Sequence, residues 1–252
     1  MTRAARRGSY GVDAPYVLFG LACGAVGLVF AGIGVGIGFG APLAAVCYVL
    51  AAVMAVGFAL YLNATRRGKF QVWSEILDEV ALRGDERLLD LGCGRGAVLL
   101  MAAERLTTGR AVGVDLWRTV DQSGNAMDVT ERNSVAEGVR DRVELRTGDM
   151  TELPFGDGEF DVVVSNVAVH NIKSAEGRAR AIDEAVRVLR PGGRLFIADI
   201  VAAADYRRRL TELGAADVET RPLGWRMWWG GPWMGTRLVT AAKADDPGAS
   251  AP

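Results

Sequence analysis

The chain has 252 residues, half of them hydrophobic, with 29 basic and 30 acidic groups for a net charge of −1. One histidine and three scattered cysteines exclude a disulfide framework and make a zinc site improbable, so no metal is expected. Residues 1–72 sum to +5 and the remainder to −6, and an acidic second part argues against a nucleic-acid partner, which usually needs a basic footprint.

The first fifteen residues form a short basic segment with Arg3, Arg6 and Arg7, and from Ala14 to Thr65 there is no charged side chain. That stretch (16–62) is too long for one span and divides at the Gly38–Pro42 turn. Tyr16–Ile37 and Leu43–Leu62 are each about twenty residues, enough to cross a ~30 Å hydrocarbon core. A cleaved signal peptide fits poorly, because the apolar character runs far past a signal's short core. With Arg66, Arg67 and Lys69 behind the second span, the positive-inside tendency predicts a multi-pass protein of the cell membrane with both termini and everything after the hairpin cytoplasmic. Small residues four apart (Gly20/Gly24, Gly32/Gly36, Gly34/Gly38) offer a face for a homodimer through these helices. Residues 63–84 read as an amphipathic connector with Trp73 at the bilayer interface.

From 85 to 243, apolar runs alternate with helical patterns, the mark of a doubly wound, mostly parallel sheet. Strands are predicted at Arg87–Leu91, Ala111–Asp115, Val143–Thr147, Phe160–Asn166, Gly193–Asp199 and Thr236–Ala242. Helices are predicted at Ala97–Leu106, Thr130–Glu137, Glu176–Leu189 and Tyr206–Leu213. Pro191–Gly193 reads as a sharp turn before the fifth strand, and 244–252 as a disordered tail. The most telling stretch is Leu88-Leu-Asp-Leu-Gly-Cys-Gly-Arg-Gly96: a buried strand, a glycine turn over which a ligand can lie on the backbone, and a helix start. Its glycines are not spaced as in the nicotinamide fingerprint G-x-G-x-x-G.

Five motifs fall in one order: Leu88–Gly96, Asp115 at the end of strand two, Gly148-Asp149-Met150, Phe160–Asn166, and Val188–Phe196 with its Arg-Pro-Gly-Gly. Together they resemble the class I S-adenosylmethionine-dependent methyltransferases of the small-molecule type 11 branch, over roughly residues 70–242. The resemblance implies a Rossmann-like, seven-stranded α/β sheet that uses S-adenosylmethionine and releases S-adenosylhomocysteine. It implies that Gly92, Cys93, Gly94 and Gly96 cradle the amino-acid part of the donor with Asp90 beside them. It also implies that Asp115 takes the ribose hydroxyls, Asp149 the adenine amine with Gly148 and Met150 beside it, and Leu116 an adenine face. Asp115 and Asp149 also suit simple turn chemistry, and Cys93 reads as a small filler, not a nucleophile.

His170, shortly after strand four, is the one candidate general base, with Asn166, Asn171 and Tyr206 behind it. Asp121–Asn125 is a polar loop, either closing over the site or lying on the surface. Trp225–Trp233 carries four tryptophans, suited to a bilayer surface, an apolar substrate mouth, or packing on the hairpin. The resulting expectation is a membrane-anchored methyltransferase acting on a small apolar or lipid-like acceptor. Its rivals are a non-catalytic donor-binding membrane sensor or scaffold and, less favoured, an aminopropyl transferase.

Overall fold

Forty-eight uncharged residues form two long helices, α1 (Pro15–Phe39) and α2 (Ala41–Asn63), reversed at Gly40, whose φ of 92° an L side chain rarely adopts. This computed structural model describes residues 6–245; Arg3 and the predicted tail from residue 246 lie outside the described residues. Pro15 and Pro42 sit in first turns, where the missing N–H leaves no bond unmade. Phe19, Phe30, Ile37, Val49 and Val56 are exposed, so the pair is apolar on its outside as well as at its seam. Both helices are long and apolar enough to cross a membrane. Gly24 and Gly32 are the close-packing points: a Cβ on Gly24 would collide with Met54, and one on Gly32 would come 2.7 Å from the Tyr48 ring. Gly20, Gly34 and Gly38 face open space. Of the three predicted small pairs, Gly32/Gly36 faces the hairpin seam, Gly34/Gly38 faces open space, and Gly20/Gly24 has one residue of each kind.

The helix does not stop at the predicted end of the span. A π-turn (Ala64–Gly68) carries α2 into α3 (Lys69–Val80), giving one continuous helix from Ala41 to Val80. Apolar residues at 72, 73, 76, 77 and 80 repeat at helical spacing and put one face of α3 in the core. They pack with Leu88, Val98, Val162, Phe196 and Leu238. Burying each such side chain contributes about 1.5–3 kcal/mol. One face of α3 is thus part of the domain's core. Trp73, expected at the bilayer interface, is fully buried and donates its indole N–H to Asn166 Oδ1 at 2.7 Å. A tryptophan at helical spacing with the other core residues follows the core, and its one polar atom finds a partner there.

The strands are β1 (Arg87–Leu91), β2 (Arg110–Asp115), β3 (Val143–Thr147), β4 (Phe160–Asn166), β5 (Leu189–Asp199), β6 (Ala216–Pro222) and β7 (Arg237–Ala242). They form one sheet in the order β3-β2-β1-β4-β5-β7-β6. Pairings from β3 to β5 are parallel, whereas β7 is antiparallel to both β5 and β6. The helices α4 (Ala97–Ala103), α5 (Met127–Glu137), α6 (Ala175–Val188) and α7 (Ala203–Glu212) cover it. Ser174 caps α6 by accepting the Gly177 N–H at 2.9 Å.

Two strand expectations are corrected. Pro191–Gly193 is not a turn ahead of β5 but an excursion within it: Leu189 already pairs with Phe160, and the ladder resumes at Arg194 with Val162. The unpredicted β6 is a polar edge strand, largely exposed and ending at Pro222, so no apolar alternation marks it. The order reverses beside β1, with β2 on one flank and β4 on the other. In open α/β sheets the ligand crevice lies outside the carboxyl ends at such a switch point.

Candidate active site

A cleft of about 770 Å³ opens there, lined by the ends of β1, β2 and β4, the glycine turn, and residues from the hairpin. That is large for one drug-sized ligand, whose pockets run from about 300 to 1,000 Å³. The cleft gathers Asp90, Gly92, Cys93, Gly94, Asp115, Leu116, Gly148, Asp149, Met150, Asn166 and His170. Gly96, named with them from the sequence, is not among the lining residues; it starts α4 at φ 83°, where a Cβ would come 3.0 Å from Thr130. Its role is close packing behind the turn.

The turn itself is bare backbone. Gly92 and Gly94 have positive φ, and a Cβ on Gly92 would collide with Ala168. Gly94 N–H donates to Asp115 Oδ2 at 2.8 Å, while Asp115 Oδ1 accepts from Trp117 N–H at 2.6 Å and Asn125 Nδ2 at 3.1 Å. The acid at the end of β2 is thereby aimed before any ligand arrives. Beside it, Asn125 Oδ1 is buried without a partner. A carboxylate next to an orphaned amide oxygen is an acceptor pair that suits the two hydroxyls of a ribose.

Asp90 is buried among apolar strands, and desolvation pushes its pKa up to about 8 despite a hydrogen bond from the Leu99 backbone. A cation placed beside it would reverse that shift. Burial raises the Cys93 thiol well above its ordinary value, which fits a filler and not a thiolate nucleophile. Asp149 is exposed and accepts the N–H and Oγ1 of Thr151, both at 2.8 Å, which hold its pKa below the usual value. Its Oδ1 makes the turn contact that the sequence also allowed, and the residue lines the cleft.

His170 comes from the short turn after β4, with its Nδ1 2.7 Å from Asp199 Oδ1, although off the line of an N–H bond. Asp199 ends β5, is 1% exposed, and also accepts from the backbone of His170 and Ile200 and from Tyr206. Tyr206, a lesser base candidate from sequence, is instead buried outside the cleft, its phenol pKa raised by desolvation. It holds Asp199. Asn166 reaches the cleft but spends Oδ1 on Trp73, and Asn171 lies on the rim.

The sequence missed the N-terminal strap and the hairpin root. Asp13 Oδ2 accepts from Lys69 Nζ at 2.8 Å and Thr65 Oγ1 at 2.6 Å, and its Oδ1 accepts from Gln122 Nε2 at 2.8 Å. Gln122 Oε1 in turn accepts the Arg95 N–H of the glycine turn. The 121–125 loop is therefore pinned by residues 9–14, with Ser123 N–H bonded to Val12 and Ala14 N–H to Asp121. Lys69, predicted as part of a basic cluster at the bilayer, is 1% exposed and serves this network; Arg66 and Arg67 remain exposed. Of the four tryptophans, Trp229 is buried, donates to Thr236 and stacks edge-on with Tyr61, while Trp225 and Trp233 are exposed. Lone charged or aromatic residues far from the glycine motif gave no signal that they converge on it.

Residues 89–197 match the family model of a methyltransferase domain. Over 127 residues the chain is 36% identical to an arsenite methyltransferase of Halobacterium salinarum, covering 50% of this chain and 30% of that protein. Over 131 residues it is 33% identical to a demethylmenaquinone methyltransferase of Symbiobacterium thermophilum, covering 51% and 49%. The chain thus spans half or less of the length of these curated relatives. Among solved structures, a geranyl diphosphate C-methyltransferase of Streptomyces coelicolor superposes with a TM-score of 0.54 at 19% identity, covering 68% of this chain and 76% of that one. The likeness is of fold.

Proposed function

We propose that the chain, whose residues 89–197 match a methyltransferase domain, is a membrane-anchored, class I S-adenosylmethionine-dependent enzyme that methylates a small apolar acceptor at the cytoplasmic face. The observation that carries this is the cleft, whose lining brings together bare glycine backbone, the aimed Asp115, the buried Asp90 and His170. Two helices able to cross a membrane and quinone methyltransferases among the relatives support the apolar acceptor.

The donor supplies a methyl group already activated by a sulfonium centre. Gly92 and Gly94 leave room for its amino-acid part, Asp115 and Asn125 Oδ1 for its ribose, and Asp149 for its base. Asp90 places a carboxyl where a cation is otherwise unbalanced. The enzyme's work is then alignment and exclusion of water. His170 takes the proton that the acceptor's attacking atom sheds, and Asp199, fixed by three further hydrogen bonds, orients the ring and stabilises it once charged.

The test is incubation of the purified protein with membrane extract and methyl-labelled donor. Label is expected in an organic-soluble product, and Asp115→Ala is expected to lose both donor binding and transfer. Donor binding with no transfer to any fraction would instead leave a sensor or scaffold.

A further inference from the structure

The cleft does not end at the donor's acids. It continues to the root of the hairpin, where Tyr16 and Val17 of the first turn of α1, Tyr61 of α2, and Trp229 and Met234 of the tryptophan loop line it. Domain and hairpin therefore share one cavity. These elements and the strap bring two charged groups to the cleft, Asp13 and Lys69, and the two form an ion pair. Asp13 and Lys69 thus offset each other, and the hairpin and tryptophan-loop walls are apolar or aromatic, while Arg118, Asp121 and Lys173 line the cleft from other loops.

Tyr16 and Val201 are both lining residues and both more than half exposed, so they stand at the rim. Tyr16 is also the second residue of a helix able to cross a membrane, which puts the rim at the level where the bilayer begins. A solute from water meets no such rim in a domain without the hairpin.

We infer that this end is a tail channel: an amphiphilic acceptor enters sideways from the inner leaflet between the first turn of α1 and the tryptophan loop. Its apolar tail stays against Val17, Tyr61, Trp229 and Met234 while its head reaches His170. The inference rests on the membrane-anchored methyltransferase reading and adds a route and a ligand class, a long-tailed amphiphile in place of a water-soluble acceptor. A charged group lodged at this end would have to break the Asp13–Lys69 pair or be buried uncompensated, which is costly.

The experiment uses the full chain in phosphatidylcholine–phosphatidylglycerol vesicles doped with a photoreactive geranylgeraniol. After irradiation, adducts are expected on peptides holding Val17 and Trp229–Met234, besides those on lipid-facing positions such as Phe30 and Val49. Val17→Trp and, independently, the exposed rim variant Val201→Trp should cut the Trp229–Met234 adducts by about tenfold, the effect of losing about 1.4 kcal/mol of binding. Adducts at Phe30 and Val49 should stay constant, as should S-adenosylhomocysteine binding by calorimetry. Bound S-adenosylhomocysteine with no adducts at Trp229–Met234, or with adducts unchanged in both variants, overturns the channel alone. Failure of S-adenosylhomocysteine to bind the wild type overturns the methyltransferase reading beneath it.

Discussion

His170 and Asp199 divide one task between a wet and a dry residue. His170 faces the cleft, and Asp199 is sealed behind it by Tyr206 and two backbone N–H groups. Asp199→Asn should therefore lower kcat by about 10²–10⁴, the usual worth of a positioned base, with donor affinity unchanged in calorimetry. Tyr206→Phe should give a smaller loss of the same kind. Asp90 supplies a second test. Its folded pKa of about 8 lies above its ordinary value, so the donor-free protein holds a proton there at pH 7 that the unfolded chain has lost. The donor-free fold should then lose stability as pH rises from the ordinary carboxyl range to about 8, and level off above it. A cationic donor draws the proton off, so affinity should rise with pH up to about 8 and binding should release protons, seen as buffer-dependent calorimetric heat. Asp90→Asn should abolish that release. Asp90 and Asp115 stood out in the sequence because each lies at the carboxyl end of an apolar strand, and Asp149 because it follows Gly148 just beyond the mixed strand β3. Asp199 obeys the same rule at the end of β5 and was readable by it. Asp13 was not, because its partners lie 52, 56 and 109 positions away.

At the scale of elements, the junction of π-turn and tryptophan loop decides how hairpin and domain meet. A Cβ on Gly68 would collide with the Arg226 carbonyl, and Arg226 clasps Glu75 with two hydrogen bonds of 2.7 and 2.6 Å. Gly68→Ala should cost about 1–3 kcal/mol, as overpacking does, and lower the thermal midpoint. Gly20→Ala, which meets nothing within 4 Å, should leave the midpoint in place. The buried strands β1, β2 and β4 were plain from composition, since their near-continuous apolar runs suit a sheet covered on both faces. α3 was read as a helix but given the wrong neighbours. Amphipathicity reports that one face is buried, not whether lipid or protein buries it.

For the molecule as a whole, a hairpin with both ends on the domain's side predicts a sidedness that chemistry can read. With Cys23, Cys47 and Cys93 replaced, a cysteine at Phe39 should react with a membrane-impermeant thiol reagent on intact cells. One at Asp245 should react only after lysis, and the reverse pattern would invert the topology. The forty-residue helix from Ala41 to Val80 adds a mechanical consequence. A helix of that length is a strut of roughly 60 Å at 1.5 Å per residue, not a tether, so in the proposed membrane-anchored arrangement it would fix the height and tilt of the cleft above one leaflet. Such an enzyme hunts in two dimensions. Its velocity should track the mole fraction of acceptor in the bilayer, and diluting a fixed amount of acceptor with inert phospholipid should slow it although nothing in the water has changed.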